Sequence, residues 1–341
     1  MRMSEIDKSN YSTEPVVYGK DECGEFQGLI SRAALTVIEK LNKGGYNGYL
    51  VGGAVRDILL GKTPKDFDIA TDARPEQVVA LFKNSRLIGR RFRIVHVRFG
   101  REIIEVATFR AAHNQSSASA KTSTDGQLLR DNVYGRFEDD VWRRDFTINA
   151  LYYDIRDSSV IDYVGGVRDL RSNIIRLIGD PEVRYREDPV RMLRAIRFAA
   201  KLNFKITPSA SSPISSLAYL LQEISPARLF DESLKLFSSG YASDSYKGLV
   251  EHDLFRYLYS VGSGELNQAD PFDNKFVLSA LENTDRRIKD GKSVNPAFLI
   301  AVFLWSTMQL HYSEYQRGGL PARVALLNAS DRTISAQIKQ L

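Results

Sequence analysis

The spacing of apolar residues changes about halfway along the chain. In the first half, short apolar or alternating runs separated by turn residues predict strands at residues 49–51, 66–70, 94–99, 102–109, 147–153 and 160–163. Runs with helical spacing predict helices at residues 29–41, 56–60 and 75–82. From about residue 174 onward the pattern is mostly helical. The sequence therefore predicts an α+β domain followed by a helical domain.

Two polar stretches interrupt this arrangement. Residues 1–28 are polar with scattered glycines, which predicts a flexible N-terminal arm. Residues 113–126 are rich in Ser, Ala and Thr without any period, which predicts a flexible loop. We therefore expect the α+β domain to occupy residues 29–173.

Composition excludes several classes of protein. A single cysteine, Cys23, excludes an internal disulfide and a cysteine zinc site, and favours a reducing cytoplasm. The four histidines lack metal-ligand spacing. The apolar run at residues 297–305 is too short to span a bilayer. The 47 Lys and Arg against 42 Asp and Glu give a net charge of +5, which fits either a nucleic-acid partner or an ordinary globular protein.

Two aspartates one residue apart suggest a metal site. Asp66 and Asp68 would point the same way from a strand, and Glu105, inside a β-branched run, is the best third carboxylate. Such a set could hold two divalent ions. The alternative is that all three are ordinary exposed strand residues.

Glycines and arginines supply candidate phosphate contacts. Gly52 and Gly53 allow close backbone approach by a phosphate, and Arg56 follows on the predicted helix. An ordinary strand-to-helix turn is the alternative. Further along, Arg144, Asp145 and Asn149 lie in a run of alternating polar and apolar residues, where they could hold sugar or phosphate. A surface ion pair between Arg144 and Asp145 is equally compatible with the sequence.

A basic helix and a basic strand segment are further candidate contacts for a nucleotide or RNA. On a helix of about 100° per residue, Arg191, Arg194, Arg197 and Lys201 share one face, and Asp188 lies three residues before the first of them. A solvated basic face is the alternative. The segment at residues 87–97 interleaves arginines with apolar residues and suggests an RNA surface, or a charged strand edge. Its arginines are Arg90, Arg91 and Arg93.

Six segments, in this order, resemble the nucleotidyltransferase branch that contains bacterial poly(A) polymerases and tRNA CCA-adding enzymes. They are GGAVRD at 52–57, DFDIATDA at 66–73, EVATFR at 105–110, RRDFTINAL at 143–151, EDPVRMLRAIRF at 187–198 and SPARLFDE at 225–232. The segments LIGRRFRIVHV at 87–97 and LLRDNVYG at 128–135 resemble those of poly(A) polymerases in particular. The resemblance covers about residues 46–303 and favours poly(A) polymerase over CCA addition.

The resemblance implies a fold and a domain order. It implies a polymerase-β-like nucleotidyltransferase head with a mixed sheet at residues 29–173 and a helical neck with a base-reading helix at 174–240. A helical body follows at 241–341, shorter than is usual in the family and without its basic tail.

The resemblance also implies roles for individual residues. Asp66, Asp68 and Glu105 would bind catalytic Mg²⁺, or Mn²⁺ in its place. Asp188 and Arg191 would read the base. Residues near the nucleotide and its phosphates would be Gly52, Gly53, Arg56, Arg144, Asp145, Asn149, Arg194 and Arg197. Arg90, Arg91 and Arg93 would contact RNA, and Arg228 and Glu232 would brace the neck.

Three functional hypotheses follow. The first is template-independent addition of AMP from ATP to RNA 3′ ends in the cytoplasm, by in-line attack with two metal ions. The second is CCA addition to tRNA, which uses the same chemistry with CTP. The third is a non-catalytic RNA-binding protein, against which the intact acidic pair argues.

Overall fold

The computed structural model describes residues 14–26, 28–89, 93–111, 120–122, 128–131, 133–259 and 271–340. It forms two compact units, Met1–Asp188 and Pro189–Leu341. The first unit thus extends past residue 173, where we expected the head to end. The first unit is α+β and the second is almost entirely helical, as the sequence predicts.

The strands of the first unit are β1 (Val16–Tyr18), β2 (Gly48–Val51), β3 (Asp68–Thr71), β4 (Ser85–Ile88), β5 (Ile94–Phe99), β6 (Glu102–Thr108), β7 (Ala120–Thr122), β8 (Leu128–Asp131), β9 (Leu151–Asp154), β10 (Ser159–Asp162) and β11 (Ile174–Ile175). Its helices are α1 (Lys20–Cys23), α2 (Arg32–Lys43), α3 (Gly53–Leu59), α4 (Pro75–Leu81), α5 (Phe137–Arg143), α6 (Gly166–Arg171) and α7 (Pro181–Glu187), with a 3₁₀ turn at Thr147–Asn149.

One mixed sheet organises this unit. Its strand order is β1-β10-β9-β2-β3-β6-β5-β4, and only β3 and β6 run parallel. Helices α2 and α4 pack on one face. Under α2, a Cβ at Gly48 would lie 3.3 Å from the Leu41 side chain, so Gly48 lets the helix approach.

Among the residues that the structure describes, the opposite face of the sheet is covered over only part of its width. Beneath β2 and β9, a core cluster forms around Val51, Trp142 and Tyr152. Over β4, β5 and β6 the same face presents exposed side chains, among them Arg86, Arg98 and Ile103.

Several predicted elements differ from the observed ones. Residues 14–26 are not a loose arm: Val16–Tyr18 pairs with β10, and the buried ring of Phe26 stacks on Tyr153 at 4.1 Å. The predicted strand at 147–153 begins as a 3₁₀ turn and becomes β9 only at Leu151. Alternating polar and apolar residues indicate a segment with one buried side. A 3₁₀ turn that packs on the core can produce this pattern as well as a strand can.

The predicted loop at residues 113–126 lies largely outside the described residues. Within it, Ala120–Thr122 forms β7, which pairs with β8. The strands predicted at residues 94–99 and 102–109 are confirmed as β5 and β6, which pair as an antiparallel hairpin.

The second unit contains β12 (Lys205–Ile206), α8 (Val190–Leu202), α9 (Pro208–Ser211), α10 (Ile214–Leu217), α11 (Pro226–Phe237), α12 (Ala242–Glu251), α13 (Pro271–Lys289), α14 (Pro296–Arg317) and α15 (Ala322–Gln340), with 3₁₀ turns at Ala218–Glu223 and Phe255–Tyr257. Aromatic rings from several helices meet around Phe303, which lies 4.7 Å from Phe237 and 4.5 Å from Tyr259. The carboxylate of Asp285 accepts from the first backbone amides of α12, Ala242 N at 2.6 Å and Ser243 N at 3.0 Å. Within the described ranges, we find no helix with the length and apolar character needed to cross a membrane.

Candidate active site

Two carboxylates lie side by side at the point where the sheet face becomes exposed. Asp68 is the first residue of β3, and Glu105 on β6 is its partner in the parallel pairing. Residues paired in this way present their side chains on the same face. Both residues are exposed, whereas the next residue along each strand, Ile69 and Val106, is buried. The pairing of β3 with β6 therefore brings together two acids that are far apart in sequence.

Asp66 joins them from outside the strand. We expected residues 66–70 to form one strand, but β3 starts at Asp68. Its antiparallel partner β2 ends at Val51, which pairs with Asp68, and the chain then turns at Gly52. Alternation still extends back to Asp66, which is exposed, while Phe67 is buried.

The three carboxylates interact electrostatically. The pKa of Asp68 is raised to about 6, first by loss of hydration and then by the negative charge of Glu105. The positive charge of Arg144 opposes this rise, and Asp66 adds a smaller contribution to it. The acidic cluster is thus repulsive by itself, and a bound cation would relieve that repulsion.

The cluster suits a divalent metal in its chemistry. Carboxylate oxygens are the ligands that Mg²⁺ prefers. As they stand, no three Asp, Glu, His or Cys side chains among the described residues are close enough to hold a metal ion. The three carboxylates therefore fit a divalent ion in their chemistry but not in their present positions.

The glycine turn lies next to the acidic cluster. Gly52 has φ 72° and ψ −122°, a conformation that favours glycine. A Cβ on Gly52 would lie 3.5 Å from Arg144 Nη1 and 3.5 Å from the carbonyl oxygen of Asn149. The turn thus brings backbone close to two of the predicted nucleotide contacts. Helix α3 starts at Gly53, three residues earlier than predicted, because the turn at Gly52 ends the strand.

Arg56 is buried rather than presented at the surface. Its Nη1 donates to Asn149 Oδ1 at 2.6 Å and its Nε donates to Asp57 Oδ1 at 2.8 Å. We expected Arg56 to present its guanidinium to a phosphate. In the structure it holds Asn149, whose Nδ2 donates to Asp145 Oδ1 at 3.3 Å. Arg56, Asn149 and Asp145 therefore form one network, and Arg144 joins it through Nη1, which donates to the carbonyl oxygen of Asn149 at 3.3 Å.

Arg144 is held by two residues that the sequence did not single out. Its Nη2 donates to Asp140 Oδ2 at 3.1 Å and its Nε donates to the hydroxyl of Tyr152 at 2.7 Å. That hydroxyl donates to Asp140 Oδ2 at 2.6 Å. Burial alone would raise the pKa of Asp140, but the charge of Arg144 and the hydrogen bond from Tyr152 outweigh it and lower the pKa. Asp140 thus stays ionised and holds the guanidinium beside Asp68 and Gly52.

The sequence offers only a weak signal for these supports. Asp140 and Arg144 are four residues apart, the spacing of neighbours on a helix, across the end of α5. Tyr152 lies in the next strand and gives no such signal. Arg184 is a further missed residue: its Nη2 donates to the carbonyl oxygens of Arg143 and Arg144, both at 2.7 Å.

The predicted base-reading residues do not lie on one helix. Asp188 follows α7 in an extended conformation, and α8 begins only at Val190. A proline disfavours helical dihedral angles in the residue before it, and Pro189 therefore keeps Asp188 out of α8. Arg191 is buried on α8, and Arg197 Nε lies 3.8 Å from Glu232 Oε2. The apolar side of α8 is buried as expected, but its arginines are not a fully solvated face.

The predicted RNA contacts are only partly described. Arg90 and Arg91 lie outside the described residues. Arg93 is exposed, and its Nη1 lies 3.2 Å from Glu76 Oε1.

Comparison with known proteins identifies the family. Residues 48–176 match the family described as "Poly A polymerase head domain", and residues 203–261 match "Probable RNA and SrmB- binding site of polymerase A". The chain is 55% identical over 281 residues to poly(A) polymerase I of Salmonella typhi, across 81% of this chain and 60% of that protein. The chain belongs to the poly(A) polymerase and tRNA nucleotidyltransferase family. It spans about three fifths of the length of that relative.

The CCA-adding enzymes of this family are more distant. The CCA-adding enzyme of Bacillus licheniformis is 36% identical over 225 residues, across 66% of this chain and 55% of that protein. Among solved structures, the Bacillus stearothermophilus CCA-adding enzyme in complex with CTP has a TM-score of 0.56 and 29% identity, over 89% of this chain and 82% of that one. These matches confirm the nucleotidyltransferase fold that the sequence motifs imply.

Proposed function

We propose that the chain adds AMP from ATP to RNA 3′ ends without a template. The observation that carries the proposal is the meeting of Asp68 and Glu105 beside the Gly52 turn and the anchored Arg144. Carboxylates and phosphate-binding groups side by side are what phosphoryl transfer between a hydroxyl and a triphosphate requires. The greater identity to a poly(A) polymerase than to CCA-adding enzymes supports ATP as the nucleotide.

The reaction we propose is a single displacement. The RNA 3′ oxygen attacks the α-phosphorus of ATP, the bond to the β-phosphate bridging oxygen breaks, and pyrophosphate leaves. Mg²⁺ or Mn²⁺, held by Asp66, Asp68 and Glu105, would lower the pKa of the attacking hydroxyl and neutralise developing charge. Arg144, fixed by Asp140 and Tyr152, would hold a phosphate oxygen in the geometry for attack.

Other residues would position the nucleoside. The Asp145 carboxylate would accept from a ribose hydroxyl, and Asn149, itself held by Arg56, would hold the sugar or a phosphate. We propose that Asp188 and Arg191 select the base, with Arg194 and Arg197 near the phosphates. A cytoplasmic location fits the free thiol of Cys23.

An incorporation assay with the whole chain tests this function. With Mg²⁺ and a generic RNA oligonucleotide, ATP should extend the primer and CTP should not. Glu105→Gln should lower the rate by about 100-fold or more, the scale for losing a group that stabilises transition-state charge. Glu102→Gln is the matched control, because residue 102 lies on the same strand but on the opposite face.

The same assay separates the rival functions. Efficient use of CTP on a tRNA that lacks its CCA end would assign CCA addition instead. RNA binding without incorporation of any nucleotide would assign a non-catalytic binding protein.

A further inference from the structure

A row of polar side chains crosses the exposed half of the sheet, starting from the acidic cluster. Asp68 on β3 is paired with Glu105 on β6, Glu105 with His96 on β5, and His96 with Arg86 on β4. Side chains paired in register point to the same face. We call these four residues the polar row.

A second arginine and an apolar patch lie beside the polar row. Arg98, two residues after His96, points to the same face and is exposed. Its partner on β6 is Ile103, which is 46% exposed. The face thus offers charged groups with an apolar side chain beside them.

Charge changes sign along the row. Two carboxylates lie at its inner end and Arg86 lies at its outer end, while Arg98 adds a second positive charge beside His96. His96 lies between, with Nε2 3.4 Å from Glu105 Oε1. Arg86 is three strands from Asp68, about 14 Å at the usual strand spacing.

We propose that this face binds the backbone of single-stranded RNA just upstream of its 3′ end, an inference that rests on the function proposed above. The terminal nucleoside ends in a hydroxyl and can lie beside carboxylates, whereas the phosphates before it favour the arginines. The gradient of charge therefore orients the strand with its 3′ end at Asp68. A stacked strand rising about 3.4 Å per nucleotide spans the row in about four nucleotides. Ile103 supplies an apolar surface on which a base can rest.

Primer length provides the test. In the variant Arg86→Ala/Arg98→Ala, we expect the KM for a primer of about ten nucleotides to rise about tenfold. A dinucleotide primer does not reach the arginines, so its KM should match the wild-type value. Binding of the longer RNA, followed by fluorescence anisotropy without ATP, should show a salt dependence reduced by about 0.7 for each lost phosphate contact.

Two control variants keep the result interpretable. Arg86→Lys/Arg98→Lys preserves charge and should restore most of the salt dependence. Arg32→Ala/Lys43→Ala removes two exposed charges from α2, on the opposite face of the same sheet, and should leave the KM for both primers unchanged.

Several results would overturn the proposal. An equal rise of KM for the short and long primers would show a general defect, and an unchanged KM for both would show that the arginines do not contact RNA. Self-association of the alanine variant with unchanged RNA binding would mean that these charges only protect the edge strand β4. If the wild type adds no AMP but its RNA binding depends on Arg86 and Arg98 as described, the proposed function fails while this surface stands.

Discussion

Asp68 combines solvent exposure with a raised pKa, and both follow from its position at the start of a strand. Loss of hydration raises the pKa most, the charge of its strand partner Glu105 raises it further, and Asp66, in the turn before the strand, adds least. An aspartate whose pKa is raised on folding binds its proton more tightly in the folded protein than in the unfolded chain. The free energy of unfolding therefore falls as pH rises from 3.8 to about 6, and stays lower above that range.

Replacing Asp68 by asparagine should therefore stabilise the metal-free protein at neutral or higher pH. We expect Asp68→Asn to raise the free energy of unfolding by about 1 kcal/mol near pH 8, because the full shift is reduced by solvent screening. The difference should vanish near pH 4, where the wild-type aspartate is itself largely protonated in the folded protein. Urea denaturation in a chelator-containing buffer measures both values.

Asp66→Asn is the matched control for this prediction. Asp66 contributes least among the causes that act on Asp68, so its replacement should have a smaller effect. A lower stability of Asp68→Asn than of wild type near pH 8 would contradict the repulsion that we infer.

At the scale of secondary-structure elements, the site depends on how β9 and the end of α5 hold Arg144. Tyr152 on β9 supplies a hydroxyl that both accepts from Arg144 and donates to Asp140. The next residue, Tyr153, points to the opposite face and stacks on Phe26. Two adjacent buried tyrosines of one strand therefore serve different parts of the unit.

The variant Tyr152→Phe should weaken nucleotide binding more than it weakens folding. Loss of the hydroxyl removes one support of Arg144, and we expect the KM for ATP to rise about tenfold with a smaller change in kcat. Tyr153→Phe also removes one hydroxyl, but on the opposite face of the sheet, and should leave the KM for ATP unaltered.

A double-mutant cycle makes this prediction specific. If Tyr152 acts through Arg144, the effects of Tyr152→Phe and Arg144→Lys on the KM for ATP should not add. Additive effects, or an equal effect of Tyr153→Phe, would show that the hydroxyl contributes only to packing.

At the scale of the whole molecule, the candidate functional residues are divided between two compact units. The acidic cluster, the glycine turn and Arg144 all belong to residues 1–188, whereas the arginines of α8 belong to residues 189–341. The net charge of +5 adds an attraction for nucleic acid that is independent of sequence.

We expect RNA binding by the whole chain to be sensitive to salt and nearly insensitive to RNA sequence. Phosphate contacts release counterions, so the logarithm of the binding constant should fall linearly with the logarithm of salt concentration. Anisotropy titrations of oligo(A) and oligo(U) of equal length should give the same slope. Selection of ATP over other nucleotides should persist at every salt concentration. A strong preference for one RNA sequence at all salt concentrations would instead indicate direct base readout by the protein.

The sequence by itself determined the division into an α+β part and a helical part, and which polar residues are candidates for a site. The glycine turn, the acidic pair, the strands around residue 100 and the buried side of α8 follow from local spacing, because period and turn residues report local backbone geometry. The strands predicted at 66–70 and 147–153 start too early, because the ends of a strand depend on where its neighbouring strands stop.

Only the tertiary structure decided which of these residues meet. The parallel pairing of β3 with β6 brings Glu105 to Asp68, and the packing of β9 near α5 gives Arg144 its supports Asp140 and Tyr152. We expected Arg56 to contact a phosphate, but the tertiary structure buries its guanidinium, which donates to Asn149. These relations depend on contacts between residues far apart in sequence, and local periodicity carries no information about strand partners or register.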